Sequence, residues 1–456
     1  MGSPATLRRA LALLAVGATA LTAGTVAVPA AGTAIAAPTH DLTGVHVRPA
    51  SFGQHSTQGR PAPLSTAQCV SQVGIHCYSP LQYRTAYNLN PLYQEGITGK
   101  GRTIVIVDSF GSPTIQHDLE VFDKQWGIPD TNVEVVKWGN VPTWDPKNPD
   151  HTGWAGETTL DVEYAHAIAP DAHIILVETG VAETEGTTGL PEMMDAEKAL
   201  IKAGRADVIS QSFGATENTF PGYDKGDFKS LTDLRYAFQA AAEHNVTVLA
   251  ASGDNGATDA QENGSDLYPY KVNSWPSSDP LVTSIGGTQL TLDDAGNRTA
   301  PDKVWHDKSG AGGGGVSGVF ERPWYQAGVA GVTGNHRGTP DISMSAAVDG
   351  AAWTYESYDP TSVGWHLTGG TSEATPLFSG VVALADQLAG HRLGQLNWRL
   401  YGLNLLPGKW SGIVDVKQGD NGWNGVTGYD ATEGYDLASG LGTIDGAQFV
   451  HAIAGR

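Results

Sequence analysis

Short apolar runs alternate along the first half of the chain with longer segments whose apolar residues recur at helical spacing. The runs are rich in β-branched and aliphatic residues, as buried strands are. They are Thr103–Val107, Glu134–Trp138, His173–Val177, Val208–Ser212 and Thr247–Ala251. A helical segment precedes each run. This alternation predicts an α/β fold with a doubly wound, mainly parallel sheet and flanking helices.

The second half of the chain contains more glycine. Turns are expected at Ser284–Thr288 and along the glycine-rich run from Gly310 to Gly315. The turn residues Gly369–Pro376 precede the apolar run Leu377–Ala385, which predicts a buried helix with Ser372 at its N-terminus. Free N–H groups and the helix dipole favour negative charge there, so a serine could attack a carbonyl. Serine is also a common helix cap, and this stretch alone leaves both roles open.

The composition indicates a globular, loop-rich and acidic protein. Hydrophobic residues make up 40% of the 456 residues, 58 residues are glycine, and the formal net charge is -21. Such a charge repels phosphate backbones and anionic membrane surfaces, which argues against nucleic acid as a partner. Because 48 Asp and Glu face only 27 Lys and Arg, many carboxylates lack a basic partner. This balance suits a protein that works where carboxylates are protonated.

The first 36 residues have the pattern of a cleaved secretory signal. Arg8 and Arg9 precede an apolar core, and small residues follow up to Ala36. Residues 37–79 are predicted to be a linker or short pro-segment because they are rich in Pro, Ser, Thr and Gly. The folded domain is expected over residues 80–456, beginning with a helix over Leu81–Leu92. The mature protein is therefore expected to be secreted, without membrane attachment.

Cys69 and Cys77 are the two cysteines of the chain. In an exported protein, such a close pair favours a local disulfide over a metal site. The disulfide would close one small loop ahead of the predicted domain.

A serine nucleophile needs a base, and none of the 14 histidines is flanked by Gly-Thr as in subtilases. His151 is followed by Thr-Gly in the wrong order, although Asp108, after a strand, mimics the subtilase aspartate. Glu157 and Asp161 lie four residues apart and share one helix face. Two carboxylates this close do not easily both ionise, so the pair could hold one proton between them. In isolation, the pattern favours a solvated acidic helix face.

Further motifs accompany these residues in the same chain order. They are Leu160-Asp161, Ser212–Gly214, the Ser-Gly-Asp turn at Asp254, Val282–Thr288, Arg322–Gln326, Pro340–Ser343 and the Gly-Gly-Thr-Ser-x-x-x-Pro motif at Ser372. Together they identify a resemblance to the sedolisins, the serine-carboxyl peptidases, from about Pro80 to the C-terminus. The resemblance implies a subtilisin-like fold.

The resemblance also implies roles for individual residues. Ser372 would be the nucleophile, Glu157 the general base and then acid, Asp161 the carboxyl that orients Glu157, and Asp254 a member of the oxyanion hole. An aspartic acid donates to an oxyanion only when protonated, which favours an acidic pH optimum. By analogy with the fold, Ser212, Phe213, Gly214 and Gly314 would flank the substrate backbone. For the glycine run, a plain flexible loop is the alternative.

A run of oxygen donors near the C-terminus would suit Ca²⁺. The resemblance implies one ion, bound by the side chains of Asp415 and Asp436 and by the carbonyls of Val416, Thr432 and Gly434. Thr432 departs from the glycine usual in the family, but a backbone carbonyl survives that change. Without the resemblance, the run could be an Asp/Gly-rich turn.

One departure concerns maturation. Sedolisins generally carry a long folded pro-domain, whereas only about forty residues separate the predicted signal cleavage from the domain. Either this chain folds without a long pro-domain, or the Cys69–Cys77 segment is a remnant that stays attached. The sequence thus predicts a secreted, monomeric endopeptidase that acts on polypeptides at acidic pH. The alternatives are a tripeptidyl exopeptidase and a non-catalytic binding protein on the same fold.

Overall fold

The computed structural model describes residues 42, 45, 48–49, 59–180, 189–406 and 408–456. The predicted signal peptide lies outside the described residues, as does much of the predicted pro-segment. Within the described ranges, no helix has the length and hydropathy needed to cross a membrane.

Helices and strands alternate along the described chain. The α-helices are α1 (Thr66–Gln72), α2 (Pro80–Ala86), α3 (Asn90–Gln94), α4 (Ile115–Trp126), α5 (Pro149–Ile168), α6 (Gly189–Lys202), α7 (Lys229–Thr232), α8 (Tyr236–Glu243), α9 (Ala330–Thr333), α10 (Thr371–Ala389), α11 (Asn397–Leu403), α12 (Gly408–Ser411) and α13 (Gly446–Ala454). The strands are β1 (Arg48–Pro49), β2 (Cys77–Tyr78), β3 (Thr103–Ser109), β4 (Glu134–Trp138), β5 (His173–Thr179), β6 (Val208–Gln211), β7 (Phe213–Thr216), β8 (Thr247–Ala251), β9 (Ser274–Trp275), β10 (Thr283–Gln289), β11 (Lys303–Val304), β12 (Gly315–Glu321), β13 (His336–Thr339), β14 (Ile342–Ser345), β15 (Ala351–Glu356), β16 (Gly364–Thr368), β17 (Ile413–Val414) and β18 (Thr443–Ile444).

A central sheet has the strand order β11-β10-β8-β6-β3-β5-β4, with β14 pairing with β10 off this path. Its neighbouring strands are parallel except for β10 and β11. The apolar runs predicted as strands correspond to β3, β4, β5, β6 and β8. The predicted doubly wound, mainly parallel sheet is therefore confirmed.

Both faces of this sheet are covered, because successive side chains of a strand point to opposite faces. On β3, Ile104 and Ile106 belong to the core that contains residues of α5 and α10. Val105 and Val107 belong to a second core, which contains residues of α6 and α8. The domain thus has helices on both sides of a parallel sheet.

Helices α5 and α10 lie in contact inside the first core, and both are almost wholly buried. Gly380 of α10 makes close contact possible, since a Cβ atom there would lie 2.5 Å from the Cβ of Ile168 on α5. The two helices carry the predicted carboxylate pair and the predicted nucleophile.

The predicted helix over Leu81–Leu92 is wrong in its extent, because α2 and α3 replace it. Asn88, between them, has φ 52°. A residue in this left-handed conformation cannot continue a right-handed helix.

The turn expected at Ser284–Thr288 is also wrong, because these residues lie in β10. A Cβ on Gly286 would lie 2.4 Å from Ser343 Oγ, and one on Gly287 would lie 2.8 Å from Ala346 Cβ. The glycines therefore allow the chain around β14 to approach β10 closely. Close approach of another backbone is one reason for glycine inside a strand.

The segment around the two cysteines is folded against the domain. Cys69 and Cys77 are joined by a disulfide and are buried. β2 pairs with β15, and the hydroxyl of Thr66 on α1 donates to the carbonyl of Cys77 at 2.9 Å. The end of the predicted pro-segment is therefore part of the packed structure.

Candidate active site

Ser372 is the second residue of α10 and is fully buried. The preceding Gly370 has φ 124°, a conformation that few other residues adopt. Pro376 lies four residues further on and has no N–H, so it cannot donate a helical hydrogen bond to the carbonyl of Ser372. The hydroxyl of Ser212 lies 3.5 Å from that carbonyl, and the hydroxyl of Ser372 donates to the Ser212 carbonyl at 3.4 Å. Ser372 is thus held against the segment between β6 and β7.

Glu157 and Asp161 are both fully buried on α5. The alternative interpretation, a solvated acidic helix face, is therefore wrong. The hydroxyl of Ser212 donates to Asp161 Oδ1 at 2.8 Å, so Ser212 contacts both Ser372 and the helix that carries the two carboxyls. Burial raises the pKa of Asp161 well above its ordinary value, and the charges of Glu157 and Asp108 raise it further. The Asp161 carboxyl therefore retains its proton more readily than an exposed one.

Asp108 is a third buried carboxyl beside this pair. It lies near the carboxyl end of β3, the central strand, where ligands of doubly wound sheets bind. Burial raises its pKa well above the ordinary value, and the charge of Glu157 raises it further. The sequence singled out Asp108 only as a mimic of a subtilase aspartate. In the structure it extends the carboxyl pair to a group of three.

Asp254 lies at the N-terminus of α10, close to Ser372. Its Oδ1 accepts hydrogen bonds from the N–H and the hydroxyl of Thr371, both at 2.8 Å. Its Oδ2 is buried and has no hydrogen-bond partner among the described residues. Burial raises the pKa of Asp254 well above its ordinary value, although the bonds from Thr371 lower it. A neutral Asp254 can therefore keep one oxygen on Thr371 and offer an O–H from the other.

The glycine run lies directly behind the Asp254 turn. The N–H of Gly313 donates to the Gly253 carbonyl at 2.6 Å, and the hydroxyl of Ser252 donates to the Gly313 carbonyl at 2.7 Å. A Cβ on Gly313 would lie 2.0 Å from the Ser252 carbonyl oxygen. The run, including Gly314, is buried. The run is thus packed against the Asp254 turn, and its role in binding substrate stays a prediction.

Comparison with known proteins identifies the family to which the chain belongs. The model of the Subtilase family matches residues 148–399, which is more than half of the chain. The solved structure of Pseudomonas sedolisin, a serine-carboxyl proteinase complexed with two molecules of pseudo-iodotyrostatin, matches with a TM-score of 0.71 and 28% identity. This match covers 84% of the chain and 99% of the sedolisin chain. The chain belongs to the sedolisin family of the subtilases.

Sequence relatives among the sedolisins have similar identities. Kumamolisin from Bacillus sp. (strain MN-32) is 30% identical over 373 residues, which cover 77% of this chain and 61% of kumamolisin. Sedolisin from Pseudomonas sp. (strain 101) is 29% identical over 379 residues, which cover 81% and 60% of the two chains. The chain thus spans about three fifths of the length of these relatives. The predicted family is confirmed.

The strand expected to bind substrate is already paired on both sides. Phe213 and Gly214 of β7 pair antiparallel with β1, while Ala215 and Thr216 pair with β9. Leu42 and Val45, shortly before β1, are buried in the second core. A substrate that adds to the β1 side of β7 would have to displace β1.

The predicted calcium ligands lie around two carboxylates. Asp415 Oδ2 accepts the N–H of Gly434, and Asp436 Oδ2 accepts the N–H of Thr432, both at 2.9 Å. Asp415 Oδ1 is buried and has no hydrogen-bond partner among the described residues. No cluster of three or more His, Cys, Asp or Glu suited to a metal occurs in the described ranges, but the predicted set has only two carboxylates. The hard oxygen donors and the unbonded Asp415 oxygen fit Ca²⁺. The site stays a prediction.

His151, the nearest histidine alternative to Glu157, is engaged elsewhere. Its Nδ1 accepts the N–H of Asp145 at 3.1 Å, and its ring stacks on Trp144 with centroids 5.8 Å apart. It lies in the first turn of α5, six residues before Glu157. These contacts give His151 a structural role.

Proposed function

We propose that this protein is a secreted endopeptidase that hydrolyses peptide bonds at acidic pH through an acyl-enzyme on Ser372. The observation that carries the proposal is the chain of contacts from Ser372 through Ser212 to Asp161, beside the unbonded oxygen of Asp254. A nucleophile, buried carboxyls and an oxyanion donor are the parts that acyl transfer needs. Their presence argues against a non-catalytic binding protein.

In the proposed mechanism, Ser372 Oγ attacks the scissile carbonyl while Glu157 accepts its proton. The carbonyl oxygen becomes an oxyanion, to which the protonated Oδ2 of Asp254 donates. Glu157 then returns the proton to the leaving amine as the C–N bond breaks, which leaves an ester on Ser372. Water attacks the ester with Glu157 again as base, and Ser372 regains its proton. Asp161, fixed by Ser212, orients Glu157 throughout.

Endopeptidase action can be separated from tripeptidyl-peptidase action by product lengths. The exopeptidase alternative has a relative in tripeptidyl-peptidase sed4 from Aspergillus fumigatus, at 29% identity. Digesting denatured casein at pH about 4, where an ordinary Asp is half ionised, should release internal fragments of many lengths, as determined by mass spectrometry. Acetylating the substrate's N-terminus should not slow the reaction. Release of tripeptides alone, blocked by acetylation, would support the exopeptidase instead.

Export rests on the predicted signal over residues 1–36. We propose that the Cys69–Cys77 segment remains attached to the mature enzyme, because both cysteines are buried and β2 pairs within the domain. Polypeptides are the proposed substrates, and the protein is proposed to act as a monomer.

We further propose one Ca²⁺ at Asp415, Val416, Thr432, Gly434 and Asp436. A bound cation would neutralise the two carboxylates and join the segments after β17 and before β18. Chelator at pH about 6, where ordinary carboxylates are ionised, should lower the melting temperature by roughly 5–10 °C. Asp415→Asn should have a lowered melting temperature and no response to chelator. Asp420→Asn, in the neighbouring loop, should respond like wild type. An unchanged melting curve, with no calcium by elemental analysis, would refute the site.

A further inference from the structure

Glu217 is a buried carboxyl that the proposed mechanism does not use. It directly follows β7 and opens a short 3-10 turn over Glu217–Thr219, and it is 1% exposed. Its N–H donates to the Asn273 carbonyl at 2.9 Å, which fixes its backbone beside β9. An ionisable group so deeply buried is costly unless its oxygens have partners.

The carboxyl of Glu217 reaches across to β12. Its Oε1 accepts the hydroxyl of Ser317 at 2.5 Å, and its Oε2 accepts the N–H of Gly318 at 2.7 Å. β12 continues the glycine run that backs the Asp254 turn, whereas β7 is the strand proposed to bind substrate. Glu217 therefore connects one side of the proposed substrate cleft to the segment that supports the oxyanion donor.

These bonds require two acceptor oxygens. The hydroxyl of Ser317 already accepts the N–H groups of Val319 at 3.0 Å and Phe320 at 2.9 Å, so its proton is left to donate to Glu217. The N–H of Gly318 can only donate. A glutamine side chain offers one acceptor, and its NH₂ group would face one of these two donors. In the neutral carboxyl, which forms in acid because burial raises its pKa to about 7, both oxygens still carry acceptor lone pairs.

We infer that Glu217 is a positioning residue that holds β7 and β12 at the separation a polypeptide substrate needs. The inference rests on the proposed function, because it takes the β1 side of β7 as the peptide cleft, which a substrate enters by displacing β1. Glu217 acts through the two strands and does not touch the reacting atoms. Its loss should weaken peptide binding in the ground and transition states alike, which raises KM and leaves kcat nearly unchanged.

The test uses the full chain and two readouts. Binding of fluorescein-labelled casein, an unfolded polypeptide, is measured by fluorescence polarisation in Ser372→Ala and in Ser372→Ala/Glu217→Gln. Steady-state kinetics with casein are measured in wild type and in Glu217→Gln. We expect Glu217→Gln to raise both Kd and KM about tenfold and to change kcat by less than about twofold.

Asp386→Asn is the matched control for a loss of folding stability that leaves substrate binding unchanged. Asp386 is fully buried, burial likewise raises its pKa to about 7, and it accepts one backbone N–H, that of Leu393, at 2.8 Å. It lies near the C-terminal end of α10, far along the helix from Ser372. This variant should lose stability without a change in Kd or KM.

Ser317→Ala is the second variant if Glu217→Gln does not fold. It removes one donor to Glu217 and should raise Kd in the same direction but less. In the Glu217→Gln background it should add little, because the two side chains act as one unit. Unchanged Kd and KM in a folded Glu217→Gln or Ser317→Ala would overturn the inference, as would absence of casein binding to Ser372→Ala. Wild type that binds casein but does not cleave it would instead refute the proposed function.

Discussion

Replacing Ser372 by alanine should abolish peptide hydrolysis while leaving the fold intact. In the proposed mechanism this hydroxyl forms the covalent intermediate, so its removal should lower kcat by at least about 10³-fold. Loss of a capping serine costs about 1 kcal/mol, but the N-cap of α10 is Gly370, and α10 packs against β6, β8 and α5. The measurement is the casein hydrolysis rate at acidic pH, together with the melting temperature.

Ser379→Ala is the matched control for this substitution. Ser379 is buried on the same helix, and its hydroxyl donates to the carbonyl of Pro376 at 2.8 Å, without contact to a carboxyl. It should retain most of the activity. Substantial hydrolysis by a folded Ser372→Ala protein, purified free of other peptidases, would rule out the serine mechanism.

Much of the sheet could be predicted because parallel strands are buried on both faces and appear as continuous apolar runs. β3 shows this directly, with Ile104 to Val107 all buried. β10 was not predicted as a strand because Gly286 and Gly287 interrupt its apolar pattern. These glycines are needed because the chain around β14, more than fifty residues later, packs closely against them. The local sequence does not reveal that contact. The break between α2 and α3 at Asn88 is a similar case, since propensity alone allows one helix there.

The candidate site was predictable where its residues belong to recognisable motifs. Ser372, Glu157, Asp161 and Asp254 fall in this class, and their burial and contacts support the proposed roles. The position of Asp108 beside Glu157 was not predictable, because the packing of α5 on β3 brings the two residues together. The same holds for the bond between Glu217 and Ser317, which are 100 residues apart. Only the folded chain brings such pairs together.

The second large effect is a loss of activity as pH rises through neutrality. A Ser-His-Asp enzyme loses its base in acid, because histidine has an ordinary pKa of about 6.5. Here Asp161 and Asp254 have pKa values raised chiefly by burial, so both hold protons at acidic pH. In the proposed mechanism, rising pH removes the proton shared within the Glu157–Asp161 pair and turns Asp254 into an anion that faces the developing oxyanion. Activity should be highest in acid.

Folding stability should fall over part of the same pH range. Burial raises the pKa of Glu373 and of Glu197 from 4.5 to about 8, and that of Asp118 from 3.8 to about 6. Between the ordinary and the raised value, the folded state binds more protons than the unfolded state, so the free energy of unfolding decreases as pH rises. For the two glutamates this contribution is fully present below pH about 4.5 and is lost as pH rises through about 8. If activity returns at once when the pH is lowered again, the loss was caused by deprotonation of the site and not by unfolding.

Two substitutions identify the base within this pH profile. Glu157→Gln should lower kcat at every pH by at least about 10³-fold, because an amide cannot accept and return the serine proton. His151→Ala should keep most of the activity and the acidic optimum, since the ring contacts Trp144 and the backbone of Asp145 and is assigned no proton transfer. The measurement is kcat/KM against pH for wild type and both variants with one peptide substrate. An alkaline optimum would contradict the carboxyl mechanism. If activity collapses in His151→Ala and survives in Glu157→Gln, the histidine is the base. Its neutral imidazole would then accept the proton of the serine hydroxyl.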